Sequence, residues 1–531
     1  MQRVIFPILF LVVLAAPFAV RLAVLGEAEE ARQGSDLPTR RLVIITPHNR
    51  DILLEFERAF SDWHARVHGE RVEIAFVLPG GTNDIVKLLD KTYAGLRDAE
   101  GRLRSPDEID AQTQYDMVWG GGDFTFNSEM EPRGVLQAIE LPDGVLRDAF
   151  PEPALAGIAL YDQDDADPTT PDTPGVSWVG VCLSSFGIVY SPFYYERISR
   201  ASGETLPPPE TWQDLARPEL ADRVALADPG SSGSAAVAYM MVLQRAMADA
   251  EEQYLRGSAR QPSSRPADDP EYRAAIEAGW KQGMGDLLLI AANARYFADS
   301  ASRVPADVSS ASAAAGLAID FYGRVEQELA GEDRIGFVSP QAATAITPDP
   351  IAILHGTTGR RLETAQRFIE FLLSREGQLI WILESGARGG PSQRALRRPP
   401  IRRDVYADRS GWTDDVNPFE EAAGFNQRQE WMLEFTETRI VWQAAWIESQ
   451  AALQEAYRAV LAVPEPSRRA ALLAQLRDLP ITWEDVRAMR RERRSQPKAR
   501  ESAWIGRERV RLANRFRAHY DEVLEAAERA G

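Results

Sequence analysis

At 531 residues the chain is long enough for more than one hydrophobic core, and with 44% hydrophobic and 26% charged residues it is globular, not disordered. Its net charge of −19 excludes a nucleic-acid role for the bulk of the protein, because phosphate backbones would be repelled, yet leaves room for a local field of opposite sign in a cleft. Residues 4–20, VIFPILFLVVLAAPFAV, form one apolar run between Arg3 and Arg21 and are followed by a polar linker. Residues 1–34 therefore read as a cleaved export signal or a single membrane anchor, and either reading places the remainder outside the cytoplasm. The single cysteine, Cys182, offers neither an internal disulfide nor an N-terminal lipid attachment, so stability must come from packing.

From residue 41 the pattern is strand, loop, helix, repeated. Residues 41–46 predict a strand, 47–49 a loop, and 52–67 a helix with Leu53, Phe56, Phe60 and Trp63 at three- and four-residue spacing. Residues 72–77 predict the next strand, 79–82 a Pro-Gly-Gly-Thr loop, and 84–93 a helix; residues 115–119 lead into Gly120, Gly121 and Gly122. Three successive strands thus end in small or polar loops, the arrangement by which an open parallel sheet binds ligands at its carboxyl edge. A second unit spans 180–337, with a strand at 186–190, a proline-rich turn at 207–209 and a strand at 315–320 running into Phe321 and Tyr322. Residues 344–347 and 351–354 predict two strands and 363–371 a helix, resuming the first unit.

Within the second unit, residues 224–241, VALADPGSSGSAAVAYMM, predict a strand, a tight turn and a helix start. Ser231, Ser232, Gly233 and Ser234 at a helix N-terminus serve either as an ordinary Ser N-cap or as an anion site built from free N–H groups, the dipole and hydroxyl donors. Polar, Pro-rich inserts at 162–173 and 257–269 read as solvated loops. From residue 428 the chain turns to long helical patterns carrying Trp431, Trp442, Trp446 and Leu453, and ends in an Arg-rich helix predicted over 487–530 with apolar Trp504, Val510, Leu512 and Phe516. That helix reads as packing on its own neighbour, with a membrane surface or partner as the alternative.

In their order along the chain, Thr46-Pro-His-Asn49, Val118-Trp-Gly-Gly-Gly122, Trp178-Val-Gly180, Ser185-Phe-Gly-Ile-Val-Tyr190, Thr211-Trp-Gln-Asp-Leu215, Leu226-Ala-Asp-Pro-Gly-Ser-Ser-Gly-Ser234, Ala292-Asn-Ala294, Asp299-Ser300, Gly316-Leu-Ala-Ile-Asp-Phe-Tyr322 and Arg367-Phe-Ile-Glu-Phe-Leu-Leu373 resemble the extracellular solute-binding proteins of ABC importers. The likeness covers residues 41–392 and is to the ferric-ion, phosphonate, thiamine and polyamine group. It implies an α/β, two-lobed periplasmic-binding fold of type II with an interlobe cleft, plus a C-terminal helical extension at 426–531. Lobe one would be 41–180 with 340–425 and lobe two 181–339, hinged near 180–185 and 339–344. The protein would act as a monomer outside the cytoplasm, close on its solute and pass it to a membrane permease. The cleft lining it implies is Thr46, His48, Gly80, Gly81, Gly121 and Gly122 from lobe one. Ser231, Ser232, Gly233, Ser234, Asn293, Asp320 and Tyr322 would come from lobe two. For the glycines the alternative is a plain turn, for His48 a capping role, for Asp320 a helix cap and for Tyr322 a core aromatic. Tyr194 and Tyr195 read as packing.

Ferric iron asks for hard ligands, which His48, Asp320 and Tyr322 could supply in part. The resemblance also implies two neighbouring tyrosines on the later loop of a ferric binder, and residues 320–322 hold only Tyr322. The serine cluster better suits a phosphonate, organic phosphate or carboxylate. An oxyanion-bearing solute therefore stands ahead of Fe3+, which would in any event be cargo, and no cofactor is expected. An enzyme on the same fold is the less favoured class, since Cys182 has no histidine nearby in sequence to activate it. A membrane-tethered sensor or scaffold is the remaining alternative.

Overall fold

The computed structural model describes residues 37–162, 176–257, 269–421 and 427–531. The apolar run at 4–20 and nearly all of both polar inserts lie outside these residues; among the described residues no helix is long and apolar enough to cross a membrane.

The first lobe begins with β1 (Thr39–Ile45), α1 (Arg50–His68), β2 (Arg71–Val77), α2 (Thr82–Tyr93), β3 (Met117–Trp119), β4 (Leu136–Gln137) and β5 (Val179–Ser184). Helix α1 starts where the Asn49 side chain accepts from the Ile52 amide, stops at left-handed Gly69, and buries Leu53, Phe56, Phe60 and Trp63 on one face. The second lobe follows with β6 (Phe186–Tyr190), α3 (Pro192–Ser202), β7 (Val224–Ala227), α4 (Gly233–Gly257), α5 (Pro270–Ala292), β8 (Ala294–Ala298), β9 (Ala315–Ile319), α6 (Asp320–Ala330) and β10 (Gly336–Val338). The chain then returns to the first lobe through β11 (Thr347–Leu354) and α7 (Gly359–Leu373).

Two sheets result. The first has the order β2-β1-β3-β11-β4, with β5 also paired to β11; β1 runs parallel to β2 and β3, while β11 is antiparallel to its neighbours. The second has the order β8-β7-β9-β6-β10, parallel across β8, β7 and β9 and antiparallel at β6 and β10. The molecule is thus the two-lobed α/β fold expected from the sequence, with sheets joined by two crossings. One corrected detail is β11, a single strand that takes in the predicted segment 351–354 but only Thr347 of the segment 344–347, and that runs through Pro348 and Pro350. Its pairing with β5 shifts register between Asp349 and Pro350, and that bulge accommodates residues that cannot donate to the ladder.

The C-terminal region contributes α8 (Phe435–Trp442), α9 (Gln450–Ala462), α10 (Pro466–Arg477), α11 (Trp483–Ser495) and α12 (Lys498–Glu528). The predicted Arg-rich helix is therefore two helices, because Pro497 cannot continue a helix and turns the residue before it to extended backbone. Val510, placed on its apolar face from sequence, is exposed, whereas Leu512, Phe516, Tyr520 and Val523 are buried. These helices share one apolar core with lobe two. Trp442 and Trp446 stack at 5.6 Å, Tyr239 of α4 meets both edge-on at 5.7 and 5.5 Å, and the Trp442 indole donates to the Met284 sulfur of α5 at 3.2 Å. Trp442→Ala should cost lobe two about 3–5 kcal/mol, read as a lowered midpoint in urea denaturation.

Candidate functional site

Both lobe crossings meet at the base of an interlobe cleft. Strand β5 ends at Ser184 in the first sheet and β6 begins at Phe186 in the second, leaving Ser185 between them. Asp320, at the start of α6, accepts from the Ser185 amide at 3.0 Å, the Ser185 hydroxyl at 3.1 Å and the Phe321 amide at 2.8 Å. It therefore fastens the crossing and is corrected as a cleft residue.

Above the crossing lies a cavity of about 70 Å³, room for a few water-sized groups. From lobe one it is lined by His48, Gly81, Thr82 and Gly121, and from lobe two by Ser232, Gly233, Ser234 and Tyr322 together with residues 299–302. The N-terminus of α2 enters from one lobe and that of α4 from the other. Among the described residues no acceptor receives the Gly233 or Ser234 amide, so two positive helix ends converge on one space. The lobes touch at its edge: the Asn83 side chain donates to the Gly230 carbonyl. A Cβ on Gly81 would stand 2.5 Å from the Ser231 carbonyl, so only glycine permits this approach.

The floor is ionic and buried. Arg398, 3% exposed, donates to Asp349 at 2.7 Å and to the Ser184 hydroxyl at 2.6 Å, while His48 Nε2 lies 2.7 Å from the same Asp349 oxygen. The guanidinium also lies 4.3 Å from the Phe321 ring of lobe two and 5.2 Å from Trp381 of lobe one. Arg398 and His48 together hold the Asp349 carboxyl well below the usual carboxylate range, overriding the opposing effect of burial. Two buried polar atoms of this floor, His48 Nδ1 and Arg398 Nε, have no hydrogen-bond partner among the described residues. Beside them desolvation pushes the Tyr322 phenol up to about 12, so it is a neutral donor at physiological pH.

Local chain geometry sets this floor. The register shift in β11 falls at Asp349, and left-handed Arg397, at φ 56°, precedes Arg398. Gln378 fixes the returning segment by accepting from the Ile401 amide at 2.7 Å and donating to the Val181 carbonyl at 2.7 Å. Gly120, at φ 90°, lies so close to the His48 ring that a Cβ would meet Nε2 at 2.7 Å.

Of the residues expected in the cleft, His48, Gly81, Gly121, Ser232, Gly233, Ser234 and Tyr322 line the cavity. Thr46 does not: it is fully buried and its hydroxyl accepts from the His48 amide at 3.2 Å, shaping the turn that presents His48. Gly80 packs on the Asp84 carboxylate, Gly122 precedes the short helix at Asp123–Thr125, and the Ser231 hydroxyl donates to Asp228 at 3.1 Å. Ser232 lines the cavity and is also a conventional N-cap, accepting from the Ala235 amide at 3.3 Å. Asn293 is corrected outright. It donates to the Leu215 and Arg217 carbonyls, each at 2.8 Å, at the amino end of β7 and β8, opposite the edge where the cavity lies. The ferric set of His48, Asp320 and Tyr322 loses Asp320 to Ser185. Sequence reasoning missed Thr82, residues 299–302, Asp349 and Arg398 as lining residues.

Residues 187–384 match the family model of bacterial extracellular solute-binding proteins, which supports the resemblance across lobe two and into the returning part of lobe one. The chain is similar to the phosphoglycerate transport regulatory protein of Salmonella typhimurium, at 23% identity over 235 residues, 42% of this chain and 48% of that relative. It thus spans about half the length of this curated relative. Among solved structures it is similar to a periplasmic binding protein of Actinobacillus pleuropneumoniae with fructose-6-phosphate bound, at 17% identity, 75% and 98% coverage of the two chains and a TM-score of 0.45. An iron-bound protein of Pseudomonas aeruginosa aligns at 15% identity, 75% and 96% coverage and a TM-score of 0.44.

Asp349→Asn should destabilise the protein by about 3–5 kcal/mol, because it leaves a buried guanidinium without its counter-charge. The carboxyl's value is depressed on folding, so its contribution is complete above the ordinary aspartate range and is lost as pH falls through the lower folded value. Denaturation midpoints measured from neutral to acid pH should show this acid-side loss in the wild type and its attenuation in the variant.

Proposed function

We propose that this chain is the extracytoplasmic solute-binding component of an ABC importer, and that it captures a small solute through an oxyanion held between its lobes. The observation that carries the reading is the convergence of two helix N-termini, one from each lobe, over a floor holding buried Arg398 and His48, each with a nitrogen that has no hydrogen-bond partner among the described residues. A phosphate, phosphonate or carboxylate would touch both lobes and so bind the closed form better than the open one, the difference needed to drive closure. Asp299 stands exposed on the rim, where it suits a hydroxyl or cationic part of the same solute. Phosphoglycerate, which the Salmonella relative's name gives, has this chemistry. Delivery to a permease and action as a monomer belong to the same proposal.

Ser234→Asp separates an anion from a metal ion. An acidic residue is favourable in a first helical turn, so the fold should survive, while a carboxylate in the cavity repels an oxyanion and attracts a cation. Titration calorimetry with inorganic phosphate, 3-phosphoglycerate, a phosphonate and ferric citrate should give binding by a phosphate-bearing solute that Ser234→Asp weakens at least about a hundredfold. Unchanged anion affinity in that variant, or binding of ferric iron alone, would overturn the reading.

Closure also involves the C-terminal helices. Phe435 of α8 packs edge-on against Phe124 of lobe one at 4.3 Å, and Arg439 of the same helix donates to the Pro229 carbonyl at 2.9 Å beside the α4 turn. Phe435→Ala should therefore weaken solute binding by about three- to tenfold through loss of an aromatic contact across the lobes, checked by the same calorimetry.

A further inference from the structure

A second cavity, of about 380 Å³, opens between α5, the short helix Gln429–Met432 and α11. Its volume falls in the range that accepts a small organic molecule. Trp431, Trp483 and Tyr272 supply its apolar walls, and Arg273, Arg487 and Arg490 stand around them. Arg490 is 3.5 Å from Glu434, which it offsets. Arg487 lies over the Trp483 ring at 5.3 Å, with Glu484 on its other side at 3.5 Å. Arg273, on the facing helix, has no side-chain partner among the described residues. The walls carry four arginines, Arg491 included, against the carboxylates Glu430 and Glu434, so in a chain of net charge −19 this is a local reversal of sign, placed beside aromatic faces. The cavity shares no residue with the interlobe cleft, and every wall except α5 lies beyond the stretch that matches the solute-binding family.

We propose that this cavity is a second ligand site, which takes an organic monoanion with a flat apolar or aromatic body. The body would lie against Trp431 and Trp483, and the anionic group would meet Arg273 and Arg487 at the mouth. An apolar pocket alone would not discriminate charge; these guanidinium groups supply that selectivity.

The test uses the full chain with naphthalene-2-sulfonate as probe and uncharged naphthalene-2-methanol as control, followed by tryptophan fluorescence and calorimetry. The sulfonate should bind at a single site at least about tenfold more tightly than the alcohol. Arg273→Ala combined with Arg487→Ala, both exposed side chains, should remove that preference without moving the unfolding midpoint. Trp483→Ala should lower affinity for both probes, whereas Ser234→Asp in the cleft should change neither. Equal affinity for the two probes, absence of sulfonate binding, indifference to the paired arginine substitutions, or loss of binding in Ser234→Asp would each overturn the proposal.

Discussion

The buried contact between Arg398 and Asp349 is the constraint on which the cleft depends. Asp349 lies on β11, the strand that brings the chain back from lobe two, and Ser184, the other partner of Arg398, ends β5, the strand that leaves lobe one. One guanidinium therefore joins both crossings. A charge so deep is costly unless its partners are in place. The aromatic faces of Phe321 and Trp381 exclude water, and the Asp349 carboxylate is shared with His48. Among the described residues the same pairing leaves Arg398 Nε and His48 Nδ1 without a hydrogen-bond partner beside a cavity, so what stabilises the crossings also makes the floor polar.

Above that floor the electrostatics are those of backbone. The amino ends of α2 and α4 belong to different lobes, and with nothing between them two positive ends would face each other unfavourably. The oxyanion proposed above would remove that conflict and gain donors from both sides. Gly81 allows the lobes to approach until its backbone meets the Ser231 carbonyl, and the Asn83 side chain completes the contact at Gly230. On the proposed function affinity and closure would be the same event, since the donors of each lobe are complete only when the other has arrived.

The fold was readable because its signals are local. The alternation of apolar strands with small-residue loops and amphipathic helices placed both lobes, and the Ser-Gly helix start after β7 stands where its turn chemistry put it. The cavity wall was legible for the same reason, through His48, Gly81, Gly121 and residues 232–234. The floor was not. Asp349 sits in Thr-Pro-Asp-Pro, which reads as a turn because proline cannot serve a central strand, and only a bulge against β5 makes it one. Arg398 lies in an irregular segment whose Arg-Arg-Pro-Pro composition resembles a solvated loop, and its burial depends on Gln378, Trp381 and Leu183, which are distant in sequence or on another strand. Asn293 misled for the converse reason: a conspicuous polar residue beside a strand gives no hint of which end of the sheet it occupies.

The C-terminal helices change what lobe motion means here. Their tryptophans enter the core of lobe two, so α8 moves with that lobe as one packed body. Yet Phe435 on α8 also reaches Phe124 of lobe one, and Arg439 grips the turn that presents Ser232 and Gly233. A rigid attachment on one lobe that touches the other at the cleft edge must lose that contact when the lobes separate. On the proposed function the extension would be coupled to the state of the cleft through the Phe124–Phe435 contact and the hydrogen bonds of Arg439 and Gln443 to residues 228–230, and a ligand or partner that favours one position of α8 would, by reciprocity, alter affinity in the cleft.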